Sequence, residues 1–170
     1  TGVITLGATG ARINSDAGLL TLSGGNITGA TQSITVGGTG NTAISKVIAT
    51  TTGALAKDGA GTLTLSGANT YTGSTNINAG TLIAANANAL GTAAGTATVE
   101  SGATLNVNNV TLAESAITIN GTGVANAGAI TGTGLATVSG AVTTASDSNV
   151  GTTPAASTLT AGGVFTAASN

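Results

Sequence analysis

Residues 57–91 read KDGAGTLTLSGANTYTGSTNINAGTLIAANANALG, and the pattern within this stretch decides the fold class. Leu63 and Leu65 alternate with Thr residues, and clusters of Gly and Asn follow this apolar segment. Alternation with period two in a short segment bounded by turn residues is typical of a β-strand with one face turned to a core. Gly and β-branched Thr, scattered through every possible helical window, disfavour a helix. The stretch therefore predicts an all-β fold.

The same pattern recurs along the rest of the chain, with strand-like segments at 3–6, 20–22, 34–36, 105–107, 117–119 and 136–138. Residues 18–24 (GLLTLSG) closely match residues 61–67 (GTLTLSG), and Leu63, Leu82 and Leu105 hold equivalent places in successive copies of the pattern. Their spacing gives a period of roughly 20 residues, which is typical of one coil of a β-solenoid. We therefore predict a parallel β-helix of about eight coils of roughly 20 residues, which at ~4.8 Å per coil gives a rod of about 40 Å.

The composition limits how thick the core can be. Gly, Thr and Ala make up more than half of the chain, which has one Tyr (Tyr71), one Phe (Phe165), one Pro (Pro154) and no Trp or Met. Leu, Ile, Val and Ala cannot fill a wide centre without aromatic volume. Two architectures suit such side chains: the stacked narrow layers of a solenoid and a face-to-face pair of flat sheets. The positive mean hydropathy favours a folded chain over a disordered one.

Charge and hydropathy exclude several classes of partner. The chain has three basic and five acidic residues, for a net charge of −2. Nucleic acids and anionic membrane surfaces are recognised by clustered Lys and Arg, so we expect neither as a partner. No apolar run reaches the length of a membrane helix, and we expect no direct membrane insertion by this segment. The opening residues TGVI do not resemble a secretion signal. The absence of Cys fits an oxidising, extracellular location.

The residue types offer little to catalysis or metal binding. Nucleophilic pairs that need His or Cys are excluded, and zinc lacks its preferred ligands. A Ser–Lys pair needs a desolvated Lys46 or Lys57, whereas Lys57 adjoins Asp58 in a Gly-rich turn and is expected to be a solvated ion. The spacing of the acidic residues favours no glycosidase pair among Asp16, Asp58, Glu100, Glu114 and Asp147. We predict no enzyme and no catalytic, cofactor-binding or metal-binding residue; a calcium ion on Asp58 or Asp147 stays open.

The stretch 57–91 resembles the autotransporter-associated β-strand repeat, whose pattern runs K-x-G-x-G-T-L-T-L-S-G-x-N-T-Y-x-G, then T-x-I-x-x-G-T-L, and closes on A-L-G. The match follows the order of the pattern and covers about a fifth of the chain. The resemblance implies a right-handed parallel β-helix, a Gram-negative source and export to the outer cell surface or the extracellular space. It also implies a stalk-like role in adhesion, biofilm or matrix, and no catalytic residue, because the repeat carries none.

Two polar features of the repeat have a structural and a functional interpretation. Tyr71 is either a stacking platform for a sugar or a turn aromatic that covers the apolar edge of the next coil; the second is favoured because glycan platforms usually recruit several aromatics. Five asparagines either form amide ladders between coils or are simple turn residues, the second again favoured: Asn69, Asn76, Asn78, Asn86 and Asn88.

The leading alternative function is a monomeric ligand-binding solenoid, for ice or glycan. Regular ranks of outward Thr on a flat face can order water, although Thr is also the ordinary solvent-facing strand residue. Thr-x-Thr triplets occur at Thr50/Thr52, Thr62/Thr64, Thr70/Thr72, Thr96/Thr98, Thr131/Thr133 and Thr158/Thr160. Their irregular spacing means that they need not share a face.

The ends of the predicted rod suggest self-association. A β-helix presents an open strand edge at each end, and no polar capping segment is evident in the sequence. We expect either head-to-tail assembly into a fibre or the continuation of a longer solenoid. We predict β-helix over residues 1–140, a looser coil or linker over 141–158, and over 159–170 a terminal strand available for inter-subunit contact, unless Phe165 seals its own end. The candidate self-association residues are Val3, Ile4, Leu6, Leu159, Val164 and Phe165.

Overall fold

The computed structural model describes residues 2–7, 10–113, 116–154 and 157–167. Within them the secondary structure consists of 21 short β-strands and one 3₁₀ turn at Val124–Asn126. In chain order the strands are β1 (Ile4–Thr5), β2 (Ala11–Asn14), β3 (Leu19–Leu22), β4 (Ile27–Thr28), β5 (Ile34–Gly37), β6 (Asn41–Ile44), β7 (Ile48–Ala49), β8 (Leu55–Lys57), β9 (Thr62–Leu65), β10 (Thr75–Ile77), β11 (Gly80–Ala84), β12 (Ala97–Val99), β13 (Ala103–Asn108), β14 (Thr111–Leu112), β15 (Ala116–Ile119), β16 (Ile130–Thr133), β17 (Leu135–Val138), β18 (Ala141–Thr144), β19 (Val150–Thr152), β20 (Thr158–Ala161) and β21 (Phe165–Ala167).

These strands wind into a rod with three faces. Face 1 is an eight-stranded sheet in the order β2-β5-β8-β10-β12-β15-β18-β21, and face 2 is a seven-stranded sheet in the order β3-β6-β9-β11-β13-β16-β19. Face 3 holds two three-stranded sheets, β1-β4-β7 and β14-β17-β20. The chain visits the three faces in a fixed cycle, so each strand in the interior of a sheet pairs with the strand one turn before it and the strand one turn after it.

All the strand pairs of the described residues are parallel, and on face 1 each strand lies in register with the strand of the next turn. The predicted parallel β-helix is therefore confirmed, while its right-handed winding stays a prediction. The rod makes about seven turns where the sequence predicts about eight. The count differs because most turns are longer than the predicted period, as in the turn that leads from Ile117 to its partner Val142. At ~4.8 Å per turn the rod is roughly 35 Å long.

The core is a set of aliphatic columns that run along the rod. On face 2 the register stacks Leu63, Leu82, Leu105 and Ile130 on one another, and all four are buried. The neighbouring positions in each strand point outward. Burying an aliphatic side chain of this size contributes about 1.5–3 kcal/mol, and each column repeats that contribution at every turn. The thin core predicted from the composition is thus built from single layers of Leu, Ile, Val and Ala.

Face 3 is interrupted in the middle of the rod. Between β7 and β14 the described residues form strands on faces 1 and 2 but none on face 3. Backbone bonds still join the turns there, since Thr70 N donates to Ile48 O at 3.1 Å and Thr92 N donates to Tyr71 O at 2.9 Å. The Tyr71 side chain is fully buried in this region, and its hydroxyl lies 2.7 Å from Thr75 Oγ1. Tyr71 therefore supplies core volume where the strand ladder is missing. A buried ring cannot serve as a sugar platform, and that interpretation is wrong.

The solenoid strands continue towards the C-terminus. Strands β18 and β19 lie within 141–158, the segment predicted as a looser coil or linker, and β21 lies within the predicted terminal strand. Each keeps the parallel register of its face. The predicted domain limits themselves stay predictions. Across the described residues, no helix is long and apolar enough to cross a membrane.

Candidate functional site

The charged residues are the first candidates for chemistry, and Asp58 is engaged in an ion pair. Arg12 in β2 donates from Nη1 to Asp58 Oδ2 at 2.8 Å and from Nη2 to Asp58 Oδ1 at 2.9 Å. The hydrogen bonds from Arg12 hold the pKa of Asp58 below its usual range. The pair places a cation where a calcium ion on Asp58 would sit. Among the described residues, no three His, Cys, Asp or Glu side chains group as metal ligands; Glu114 lies outside these residues.

This ion pair spans two turns of the rod, because β2 and β8 are separated on face 1 by β5. It crosses β5 at Gly37, where an added Cβ would lie 1.9 Å from Asp58 Oδ1 and 2.6 Å from Arg12 Nη2. Asn14 also accepts from Arg12 Nε and donates to Asp16. The absence of a side chain at position 37 is therefore what lets the two charges meet.

Lys57 corrects a prediction, since it is not a solvated ion. It occupies an inward position of β8, between Val36 and Ile77 in the register, and is 2% exposed. Its Nζ donates to the carbonyl oxygens of Asp58 (2.8 Å), Gly59 (2.8 Å) and Ala79 (3.0 Å). Burial lowers the pKa of Lys57, and the nearby charge of Asp58 opposes that shift. The alternation Leu55-Ala56-Lys57 is the sequence signal that position 57 faces the core.

The asparagine side chains tie turns together through backbone groups. Buried Asn69 accepts from Ile48 N at 2.8 Å and donates to Ala89 O at 2.6 Å, so it links the turns before and after its own. Asn86 donates to Ser66 O in the preceding turn, whereas the Asn76 side chain bonds only within its own turn, to Ser74 Oγ. These contacts differ from amide ladders, the less favoured interpretation from the sequence, in which one Asn would bond the next. They make Asn69 a structural link in the core.

The Thr-x-Thr pairs are distributed over the molecule. Thr62/Thr64 and Thr131/Thr133 lie on face 2, Thr98 lies on face 1, and Thr158/Thr160 lie on face 3. Thr50 is fully buried. Three single files of registered Thr do occur, one on each face. They consist of Thr98, Thr118, Thr143 and Thr166 on face 1, Thr62, Thr81 and Thr104 on face 2, and Thr111, Thr137 and Thr160 on face 3. The ice-binding alternative requires Thr-x-Thr pairs that stack into two parallel columns on one face. The Thr-x-Thr pairs of the described residues do not form such columns.

The two ends hold the candidate self-association residues. At one end β1, β2 and β3 each have a strand partner on one side only within the described residues, as do β19, β20 and β21 at the other end. Val3 is 60% exposed and Ile4 is half-buried in register with Ile27, whereas Leu6 is buried in the core. The first end therefore presents Val3 and Ile4 rather than all three predicted side chains.

At the second end Phe165 stacks in register on buried Val142 and stays 51% exposed. Val164 is 70% exposed, while Leu159 is half-buried in register with Ala136. Leu159 and Phe165 line a cavity of about 50 Å³. The ring thus occupies a core position whose outer side is uncovered.

A groove on face 2 is not foreseen from the sequence. The corner between β15 and β16 has ten residues, whereas the corner between β10 and β11 has two. The long corner is tied to the outer side of face 2 by Thr104, whose Oγ1 accepts from Val124 N at 2.8 Å and donates to Gly128 O at 2.9 Å. The resulting depression has a volume of about 320 Å³. We call it the face 2 groove.

Comparison with known proteins bears on the middle of the rod. Residues 55–84 match the family model of the passenger-associated-transport-repeat. No curated protein and no solved structure gives a match. The matched residues run from β8 through β11 and include Lys57, Asn69 and Tyr71, whose polar groups are all satisfied inside the core. The resemblance to an autotransporter passenger repeat is confirmed over residues 55–84, which match the passenger-associated-transport-repeat and lie within a parallel β-solenoid.

Proposed function

We propose that this chain is a structural rod segment of an exported bacterial passenger, displayed outside the cell or on its outer surface, where it serves adhesion, biofilm or matrix. The observation that carries the proposal is the unbroken parallel register of faces 1 and 2 over the whole described rod. Its role is mechanical and requires no catalytic residue. The passenger repeat at residues 55–84 supports export, and the absence of Cys is compatible with an oxidising environment.

A spacer function follows from the way the rod is stabilised. In a solenoid each turn contacts only its neighbours, so stability is approximately a sum of turn and interface contributions. Backbone hydrogen bonds run from turn to turn, for example from Ile34 N to Ala54 O at 2.9 Å and from Leu55 N to Ser74 O at 2.9 Å. Rod length can then change by whole turns without altering the remaining core.

Deleting one turn tests the spacer proposal. Removal of residues 34–54, which form β5 to β7, brings Leu55 into the register position of Ile34 opposite Ala11. We expect the shortened chain to stay folded, by circular dichroism and amide exchange, and to be shorter by ~4.8 Å in small-angle scattering. A control deletion of the segment 34–44 removes only part of a turn and should unfold the chain. Equal tolerance of both deletions would contradict the proposal.

Surface location is tested separately in the producing bacterium. Antibodies raised against the chain should label intact cells, and mild protease treatment of those cells should release the antigen. A periplasmic protein serves as the control that must stay unlabelled until the outer membrane is permeabilised. Labelling of the chain that also requires permeabilisation would contradict display outside the cell.

We further propose that the rod ends pair with strands of the same geometry, either a second copy head to tail or the next turn of a longer solenoid. Continuing the face 1 columns across such a joint would set Phe165 against Ala11 and Ala167 against Ile13. Each pair combines a large with a small side chain, which favours close packing. Face 2 would be continued by β3 on β19.

Substitution at the joint tests head-to-tail assembly. Sedimentation and negative-stain microscopy of the purified chain should show linear oligomers that Phe165→Lys abolishes, since an ammonium group at a core position opposes stacking. Deletion of residues 159–170 should have the same effect. The matched control is Thr118→Lys, which adds the same charge at an outward position of face 1. A chain that stays monomeric at every concentration would contradict self-association but not the spacer function.

A further inference from the structure

We propose that the face 2 groove binds a neutral sugar residue. The groove is the place where the outer surface of the rod becomes concave, since the ten-residue corner between β15 and β16 folds over a sheet face. Its volume of about 320 Å³ falls at the lower end of the range for small-molecule sites. The groove lies away from the rod ends. The proposed structural role of the rod does not depend on whether the groove is occupied.

The lining combines hydroxyl and methyl groups and carries no charge. Thr81 and Thr133 are half-buried and contribute hydroxyls, and Ile83 and Val124 contribute aliphatic surface, while the side chains of Thr104 and Thr131 are buried beneath them. A pyranose ring has the same division, with hydroxyl groups around its edge and C–H groups on its two faces. A charged ligand would lose its hydration without gaining a partner here, which disfavours acidic and basic molecules.

A buried network holds the floor of the groove in place. Asn106 is 9% exposed, and its Nδ2 donates to Thr131 Oγ1 at 2.9 Å and to Thr133 Oγ1 at 3.0 Å. Thr133 Oγ1 donates in turn to Thr153 O at 2.8 Å. Such fixed polar groups bind a ligand at a low entropic cost, because their rotamers are already set.

Thr81 offers the unengaged polar group. It lies in β11 in register with Thr104, it is half-buried, and its hydroxyl makes no hydrogen bond with any described residue. One wall of the groove therefore has a hydroxyl that is half-buried and free to bond a ligand. A sugar hydroxyl at this point can accept from it and donate to it.

The position of the groove disfavours a peptide as its occupant. Extended peptides commonly bind by adding a strand to an open sheet edge. The groove floor instead consists of β11, β13 and β16, three adjacent strands in the interior of face 2 whose backbone groups pair with one another. With no free backbone edge, recognition must go through side chains, which suits a hydroxylated ring.

Titration of the ¹⁵N-labelled full chain tests the proposal, with lactose, maltotriose and N,N′-diacetylchitobiose as neutral probes and digalacturonic acid as the charged comparison. At least one neutral probe should shift the amide signals of Thr81, Thr104, Val124 and Thr131 with a Kd of about 1 mM, as expected for a small site without aromatic residues. Digalacturonic acid should leave them unchanged. If none of the neutral probes shifts these amides at about 50 mM, the proposal is wrong.

Two variants locate the binding. Thr81→Val keeps the side-chain shape and removes the hydroxyl, and should weaken binding about five-fold, the loss expected for one ligand hydrogen bond. Thr81→Arg should fill the groove and abolish binding. Thr98→Val is the matched control, since Thr98 is a half-buried outward Thr on face 1, and it should bind as the parent chain does. Unchanged binding by Thr81→Arg would overturn the assignment even if a sugar binds elsewhere.

Discussion

The repeat in the middle of the rod and the last turns at the C-terminal end use the same strand register but differ in burial. In the middle, Leu55, Leu63 and Leu82 are fully buried. Towards the end, Phe165 is 51% exposed although it is stacked on the core column. The contrast at Phe165 shows that an inward position is fully buried only when turns lie on both sides of it. Burial in this fold therefore depends on place in the stack as much as on residue type.

The largest expected effect comes from removing a core aliphatic side chain in the middle. Leu82→Ala should lower the free energy of unfolding by about 3 kcal/mol, because a fully buried Leu leaves a cavity between two packed turns. The same change at the end, Leu159→Ala, should cost about 1 kcal/mol or less, since that side chain is only half-buried. Urea denaturation measures both. Equal losses would show that the end turns are as well packed as the middle.

The second largest loss of stability is expected when the buried ammonium group of Lys57 is removed. Lys57→Met keeps the aliphatic stem but leaves the carbonyl oxygens of Asp58, Gly59 and Ala79 without their donor. We expect a loss of about 2–3 kcal/mol. Lys46→Met, at a half-buried surface position, is the control and should change stability by less than about 0.5 kcal/mol. If urea denaturation shows no loss of stability in Lys57→Met, water must replace the ammonium group at these carbonyl oxygens.

A smaller effect is expected at Tyr71. Tyr71→Phe retains the buried ring and removes the hydroxyl that bonds Thr75 Oγ1, which should cost about 1 kcal/mol. Phe165→Tyr adds a hydroxyl at the half-exposed end position, where water can solvate it, and should be nearly neutral. Thermal denaturation of the two variants, compared with the parent chain, gives the contrast. A loss for Phe165→Tyr as large as for Tyr71→Phe would indicate that the end is covered in solution.

The smallest effect is dependent on pH. The pKa of Asp58 is lowered in the folded state, so its pairing with Arg12 stabilises the fold at neutral pH and is lost as the pH falls below the ordinary value of 3.8 towards the lower folded-state pKa. The difference in Tm between the parent chain and Asp58→Asn should be present at pH 7 and shrink steadily as the pH falls below 3.8. Asp147→Asn, at an exposed residue near the other end, is the control. A difference that persists in acid would argue against the ion pair.

The fold can be predicted because its signals are local. Alternation within strands and a near-regular repeat suffice to define a solenoid, and the passenger repeat strengthens the inference. The predicted coil count is too high because corner length varies, and a ten-residue corner at 120–129 has no counterpart in the repeat. Whether a stretch of sequence folds as a long corner depends on contacts with another turn, such as the bond between Val124 and Thr104. No local pattern in the sequence reveals such contacts.

The buried Lys57 and the groove show two further limits of sequence reasoning. Residue type assigns Lys57 to solvent, although its place in the alternation puts it inside. The groove depends on Thr81 lying beside Thr104 and on Thr131 lying beside Asn106 on face 2, and that alignment follows only when every turn length between them is known. The sequence places Tyr71 near an apolar edge, whereas the structure buries it completely.

The unequal corners have an evolutionary consequence. Strands on either side of a two-residue corner and of a ten-residue corner keep the same ladder, so insertions at these points leave the stacking of the backbone unchanged. A rod built in this way can acquire new surface features one corner at a time, while selection on the interior stays constant. Divergence among such rods should therefore concentrate in corner length and composition.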